Sequence, residues 1–330
     1  MGKILTVKVA ASGVEKYIAR CLDSFIDESY QNDIEVIVVN NRCADRTLEI
    51  VREYEKKYPN IFRVVAQEDK GYASTFNVGF EMATGKYFAN LDGDDYFDSE
   101  ALFRHIQFLK QADCDAVISN IMGVYEKTGE KKPYIFKNVE YGKVYNFKEI
   151  CLETASFSAH MLTIKTSILQ ENGIKVYDDS VIADFQYEIF VIPYIETVVY
   201  LDNYLYHYRT GLSGQATSIE KVQTRAAAIS KEALRLVDWC QNTDVDVQRK
   251  RYLTVKVGRL ASNALYSLLV LKISRQSYNF IKQYMKKMRG KEMYSYTSIF
   301  FKMLDKLGYI TYLFLAIAYR IYNKFSKFYW

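Results

Sequence analysis

Two hydrophobic periods alternate along the first 120 residues. Residues 4–9 form a brief β-like apolar run, and Ser12-Gly13 supplies a turn. Val14, Tyr17, Ile18, Cys21, Leu22, Phe25 and Ile26 then fall at i, i+3, i+4, i+7, i+8, i+11 and i+12, which predicts a helix over 14–26 with one apolar face. Residues 34–39 follow as a mostly β-branched apolar run, the pattern of a strand buried on both faces. Leu48, Val51 and Tyr54 predict a second helix, residues 61–66 a third strand, and residues 73–83 a helix closed by Gly85 at its C′ position. The apolar run into Leu91, a helix over 100–110 and a strand over 116–119 continue the alternation. Strands and helices joined by short loops predict an α/β domain, a mostly parallel sheet flanked by helices, whose ligands gather at the carboxyl ends of the strands.

Beyond residue 120 the pattern loosens. Residues 125–145 are irregular and broken by Lys131-Lys132-Pro133, as in an excursion or hairpin beside the sheet. Residues 148–172 read as helical pieces ending at Gly173, residues 198–201 as a strand, and Tyr204 to Tyr208 as an aromatic run. From 218 onward helices dominate, at 226–239, 252–271 and 278–288, with no repeat or low-complexity segment. The chain therefore divides into an α/β part, 1–217, and a mainly α-helical C-terminal region, 218–330.

Composition alters this picture in two places. The 330 residues are half apolar with only three prolines, so extensive disorder is excluded, and five scattered cysteines (Cys21, Cys43, Cys114, Cys151, Cys240) without a CxxC pair exclude a disulfide scaffold and a zinc site. With an N-terminus, Met1-Gly2-Lys3-Ile4, that lacks the apolar core of a signal peptide, the expected location is the cytoplasm. The net charge of +5 is uneven: residues 1–219 carry 23 Lys and Arg against 32 Asp and Glu (net −9), residues 220–330 carry 21 against 7 (net +14). Such a basic, aromatic-rich end suits an anionic surface. No nucleic-acid-binding module is recognisable, which leaves lipid. Residues 307–319 are apolar apart from Gly308 and Thr311 and are flanked by Lys302, Lys306, Arg320, Lys324 and Lys327. A span takes about 20 apolar residues, so the expectation is a peripheral helix on the inner face of the cell membrane, with Tyr309, Tyr312, Phe314, Tyr319, Tyr322, Phe328, Tyr329 and Trp330 as interfacial aromatics. A helix packed on the protein's own core or on a homo-oligomer partner is the other reading.

The chemistry concentrates in residues 86–97, where the apolar run ends in Asp92, Asp94 and Asp95 with only Gly93 among them. Carboxylates this close repel unless a cation neutralises them, and an oxygen-only set suits Mg²⁺ or Mn²⁺ together with phosphate oxygens. The competing reading is an acidic turn capping the helix that begins near Asp98 or Ser99.

Around this cluster the chain resembles the family 2 glycosyltransferases with the GT-A fold. The resemblance runs through Glu15-Lys16-Tyr17-Ile18, Cys21-Leu22-Asp23-Ser24, Ile34-Glu35-Val36-Ile37-Val38-Val39, Leu48-Glu49-Ile50, Gln67-Glu68-Asp69-Lys70-Gly71, Asn77-Val78-Gly79, Ala83-Thr84-Gly85-Lys86-Tyr87 and Leu91-Asp92-Gly93-Asp94-Asp95-Tyr96, in order over about the first 110 residues. It implies a nucleotide-sugar donor, most commonly a UDP-sugar, a glycan or lipid-linked acceptor in surface-polysaccharide synthesis, and inversion at the anomeric carbon. Asp92-Gly93-Asp94 becomes the Asp-x-Asp motif, with Asp94 the principal Mn²⁺ or Mg²⁺ ligand and Asp92 near ribose or metal. Asp184 becomes the general base, although Ala183 stands where the family usually has Glu, Asp178 and Asp179 are rival carboxylates, and a helix-capping role is the structural alternative. The run 201–209 implies Arg209 and His207 near the diphosphate, although His207 taken alone reads rather as a packed strand histidine; His105 and His160 read as structural.

Three departures fall on the expected nucleotide pocket. Ala10-Ala11-Ser12-Gly13 replaces the family's Pro-x-Tyr-Asn, Asn40-Asn41 its Asp-Asp, and Phe76 its arginine. Ala10, Ser12, Asn41, Lys70 and Phe76 are the residues expected around the donor; Asn41 can both donate and accept, and Phe76 can stack on a ring but carries no charge. Either the donor is unusual or the chain is a degenerate subunit that binds or scaffolds without catalysis. Retention of Asp92, Asp94, Asp95 and Asp184 points to the enzyme.

Overall fold

The computed structural model describes residues 2–41, 44–68, 71–150, 156–212, 219–291, 306 and 308–325. The mostly β-branched runs form β1 (Leu5–Ala11), β2 (Ile34–Asn41), β3 (Phe62–Gln67) and β4 (Tyr87–Asp92), parallel to one another in the order β3-β2-β1-β4. They are linked by α1 (Ile18–Asp23), α2 (Thr47–Lys57) and α3 (Gly71–Met82). A short strand β5 (Tyr96–Phe97) and α4 (Ser99–Gln111) follow. One face of β1 sends Leu5, Val7, Val9 and Ala11 into a core shared with α1, α2 and α4. The opposite face, Thr6, Lys8 and Ala10, lies against α3, where Gly79 has no Cβ and lets the Lys8 stem pass.

The sheet continues β4-β9-β6-β10-β5 through β6 (Ala116–Tyr125), β9 (Leu162–Lys165) and β10 (Thr197–Thr210). β9 is antiparallel to both its neighbours, β6 and β10 are parallel, and β10 pairs antiparallel with β5. The irregular region does form a hairpin-like excursion: β7 (Glu130–Tyr134) pairs with β6, and β8 (Val144–Asn146) with β10. α5 (Thr166–Glu171) and α6 (Ala183–Phe190) complete this part.

Three elements differ from the sequence reading. Only Ile18–Asp23 of the expected 14–26 helix is α-helical; a turn at Val14, whose carbonyl accepts from the Tyr17 and Ile18 amides, precedes it. Val14 and Phe25 still pack on the same core, so the apolar period outlasts the helix. Residues 162–165 form a strand rather than a helical piece, because four residues of Leu-Thr-Ile-Lys carry too little period to distinguish the two; residues 151–155 lie outside those described. β6 and β10 are far longer than the runs that announced them. Register shifts between Leu201 and Tyr206 let β10 absorb the polar Asp202-Asn203 and continue through the aromatic run.

The chain divides into two compact units, Met1–Thr210 and Gly211–Trp330. The second is helical: α7 (Ile219–Asn242), α8 (Val247–Leu269), α9 (Arg275–Met288) and α10 (Tyr309–Phe325). Asp246 caps α8 by accepting from the Gln248 and Arg249 amides, and the Tyr284 hydroxyl donates to the Ala261 carbonyl at 3.0 Å to tie α9 to α8. Within α10, Tyr312 and Ala316 are buried while Ile310, Phe314 and Ile317 are exposed. Among the described residues no helix is long and apolar enough to cross a membrane. Lys302 and residues 326–330, expected to flank the apolar helix, lie outside those described.

Candidate active site

β4 delivers Asp92 to the carboxyl edge of the sheet. There the Gly93 amide donates to the Ala10 carbonyl at 2.9 Å, and a Cβ on Gly93 would sit 2.7 Å from that same oxygen. Glycine thus lets the loop lie against the end of β1. α4 is capped by Asp98, whose carboxylate accepts from the Ala101 amide at 2.9 Å. The capping work falls to Asp98, and the three preceding carboxylates are left for other tasks.

Each of the three meets a different environment. Asp95 is buried and accepts from the Arg209 amide and the Tyr206 hydroxyl, both at 2.7 Å, which latches the loop to β10. Burial, with Asp94 and Asp92 beside it, pushes its carboxyl well above the usual range. Asp92 accepts from the Tyr72 hydroxyl at 2.7 Å and stands 3.4 Å from His160 Nε2. Burial works against its charge, but the His160 hydrogen bond and charge, with Lys8 and Tyr72, hold it below the ordinary value. Asp94 receives no hydrogen bond from another side chain among the described residues. Burial and the Asp92 charge raise it to about 6.

His160 is the residue whose place the sequence concealed. Read as structural, it stands beside Asp92, and although burial opposes protonation, the Asp92 carboxylate raises it to about 9, so it is an imidazolium at neutral pH. The other two histidines are packing residues. His105 is wedged between Thr163 and Ser119 and burial lowers it to about 4; His207 meets the Tyr96 hydroxyl at 3.0 Å and burial lowers it too.

Asp184 is the second residue of α6, past the Ile182 cap position. Its charge acts on Lys8, Tyr72, His160 and Tyr208, the groups that also sense Asp92, so the two carboxylates face one site. Its carboxylate holds no hydrogen bond or ion pair among the described residues. Asp178, by contrast, accepts from the Asn77 amide at 3.0 Å.

Ala10 is paired with Asp92 across β1 and β4, and Ser12 donates to the Asn41 carbonyl at 2.7 Å. Asn40 reaches the Ala11 carbonyl at 2.9 Å, and the Gln67 amide reaches Asn41 Oδ1 at 3.4 Å. The ends of β1, β2 and β3 are thereby tied into one polar rim next to the carboxylates. Phe76 is not on that rim. It is fully buried against Tyr72, Phe80 and Tyr187, with the Lys8 ammonium 3.7 Å from its ring centroid. Arg209 is engaged as well: its guanidinium pairs with Glu126 at 2.9 and 2.6 Å and donates to the Asp94 carbonyl at 3.1 Å. It therefore braces the acidic loop. Lys70 lies outside the described residues.

Among the described residues no three His, Cys, Asp or Glu side chains converge to hold a metal by themselves. Mg²⁺ and similar hard ions are commonly held by one or two carboxylates with substrate phosphates and water completing the shell. Asp94, raised by burial and by the Asp92 charge and without a side-chain donor among the described residues, is chemically suited to such a shared set.

Residues 6–173 match the family described as Glycosyl transferase family 2. EpsH of Bacillus subtilis is 30% identical over 233 residues, covering 66% of this chain and 64% of EpsH. The poly(ribitol-phosphate) beta-glucosyltransferase of Bacillus spizizenii is 26% identical over 199 residues, covering 56% of this chain and 31% of that protein. The chain thus spans less than two thirds of these relatives' length. Among solved structures, S. aureus TarS 1-349 in complex with UDP-GlcNAc is similar with a TM-score of 0.60 and 17% identity, covering 92% of each chain. The mannosyltransferase PcManGT from Pyrobaculum calidifontis, in complex with GDP-Man and Mn²⁺, gives 0.55 and 15%, covering 98% of this chain and 88% of that one. The fold is GT-A, and with more than half its length matched the chain belongs to the family 2 glycosyltransferases.

Proposed function

We propose that this chain is an inverting, metal-dependent glycosyltransferase that moves a sugar from a nucleotide-sugar to a hydroxyl of a glycan or lipid-linked acceptor in surface-polysaccharide synthesis. Residues 1–217 hold the site and residues 218–330 the basic, helical accessory region. One observation carries the reading: of the four carboxylates at this site, Asp92 and Asp95 are satisfied by protein donors, whereas Asp94 and Asp184 are left without side-chain partners among the described residues.

Asp94 is the carboxylate for a divalent ion, with Asp92 alongside. Such an ion, Mn²⁺ or Mg²⁺, supplies the positive charge that offsets the departing nucleoside diphosphate. Asp92, fixed by Tyr72 and His160, holds one orientation as the donor binds. Asp184 takes the proton of the acceptor hydroxyl while that oxygen attacks the anomeric carbon opposite the leaving group, which inverts the configuration. Ser12 and Asn41 line the nucleotide side. TarS with UDP-GlcNAc supports a UDP-sugar donor, PcManGT with GDP-Man and Mn²⁺ supports the metal, and the poly(ribitol-phosphate) enzyme supports a polymeric acceptor. The basic C-terminal region favours the inner membrane face as the working place, and self-association is compatible with it.

The test is calorimetric titration with UDP- and GDP-sugars and free nucleoside diphosphates, with and without Mn²⁺, followed by turnover. Asp94→Asn is expected to abolish the Mn²⁺-dependent heat. Asp184→Asn is expected to keep donor binding and lose transfer by about 10²–10⁴-fold. No heat with any donor would overturn the reading in favour of a degenerate scaffold subunit.

A further inference from the structure

Among the described residues Lys8 is the one fully buried lysine, and its Nζ has no hydrogen-bond partner. It lies in the middle of β1 between the fully buried Val7 and Val9. Burying an ammonium with no acid against it is unfavourable. What surrounds it does not neutralise it. The ring centroids of Phe76 and Tyr72 lie 3.7 and 5.1 Å away, a favourable but uncharged setting. Gly79 leaves the room for its stem, since a Cβ there would meet Lys8 Cγ at 2.7 Å. Its register partner on β4, Asn90, is likewise buried with neither amide atom bonded.

The charges that do sense Lys8 are Asp92 and Asp184. Tyr72 connects the two levels, with its ring toward the ammonium and its hydroxyl on Asp92. Two residues beyond Asn90, β4 ends at Asp92 itself. Burial lowers the Lys8 ammonium to about 8 while Asp92 and Asp184 act to raise it, so a positive charge remains at neutral pH near the carboxylates, on the sheet face that carries α3. Resting on the donor reading above, we propose that Lys8 is a positioning residue of the transferase site. Its ammonium acts through Tyr72, whose ring faces it and whose hydroxyl fixes Asp92, and through space to favour the donor's diphosphate. Unlike a divalent ion, this charge stays in place when the nucleoside diphosphate leaves. It also supplies, from the neighbouring strand, a cation at the place where Phe76 carries none.

Lys8→Met and Lys8→Gln test the inference on the full chain. A packing role and an electrostatic role differ in sign. Removing an unpaired buried charge is expected to leave the thermal midpoint unchanged or raise it by about 2–4 °C. Affinity for a nucleoside diphosphate is expected to fall about tenfold, and affinity for the matching nucleoside to stay within twofold. Unchanged diphosphate affinity would overturn the proposal. So would a joint fall in both affinities and in the midpoint, or failure of both variants to fold, since either makes Lys8 a packing residue. The wild-type titration keeps the two readings apart, because a wild-type chain that binds no nucleoside diphosphate defeats the donor reading itself.

Discussion

Asp92, Asp94 and Asp95 are chemically identical groups within four residues, and the partners that separate them come from Tyr72, His160, Tyr206 and Arg209, between 20 and 114 residues away. The sequence marks where the charge is concentrated, but not which carboxylate is braced and which is open, because that division depends on chain segments that meet only after folding. Asp95, like Asp92, is braced, with burial favouring its neutral form. Asp95→Asn, which keeps an acceptor for the Arg209 amide, is expected to leave the thermal midpoint nearly unchanged at pH 7. Asp95→Ala orphans two buried donors and is expected to cost about 1–3 kcal/mol per unsatisfied group; equal melting of the two variants would contradict this. His105 gives a second test at this scale. Its folded pKa, about 4, lies below the ordinary 6.5. The unfolded chain therefore binds the extra proton first, and the contribution, complete above 6.5, is lost as pH falls toward 4. The loss amounts to about 3 kcal/mol. Thermal midpoints followed from pH 7 to 4 are expected to fall less steeply in His105→Gln than in the wild type; parallel slopes would count against a neutral buried imidazole.

At the level of elements, the strands and helices of the first 110 residues were readable because each is a run long enough to show its period. The later sheet was not. β9 is four residues long and lies antiparallel between β4 and β6, and β10 passes through Asp202-Asn203 only by shifting register. Tertiary pairing decides such segments, and local pattern does not reach it. The resemblance singled out Asp184 and the 201–209 run as expectations, whereas His160, in a short turn before β9, had no local signal at all. The close approach of α3 to β1 gives an element-scale prediction. Gly79→Ala would bring a methyl to 2.7 Å of Lys8 Cγ, 2.9 Å of Lys8 Cβ and 3.3 Å of Phe88 Cε2, atoms at the rigid end of the lysine and on a core ring. Overpacking of this kind costs about 1–3 kcal/mol. Denaturant midpoints are expected to drop accordingly, and a variant as stable as the wild type would mean that α3 can move off the sheet freely.

For the whole molecule, the uneven charge is the largest feature that the catalytic reading leaves unused. The last 111 residues carry a net +14, and within them α10 divides its own surface: Tyr312 and Ala316 are buried, while Ile310, Phe314 and Ile317 are 80%, 72% and 51% exposed. Positions 310, 314 and 317 lie one and two turns apart on the same helical face. An exposed apolar stripe in a strongly basic unit combines the two contributions by which a peripheral helix holds an anionic bilayer, burial of side chains at the headgroup boundary and attraction by lysine and arginine. The two separate experimentally. Raising the ionic strength from about 0.1 to about 1 M shortens the screening length from roughly 10 to 3 Å and weakens only the second. Flotation with vesicles containing phosphatidylserine is therefore expected to recover the wild-type chain at low salt and less of it at high salt. The triple variant Ile310→Ser, Phe314→Ser, Ile317→Ser, which leaves the buried Tyr312 and Ala316 in place, is expected to float poorly at both. Equal recovery of variant and wild type would instead assign the exposed stripe to a protein partner or a second copy of this chain, and sedimentation of the two proteins without lipid would then show the difference.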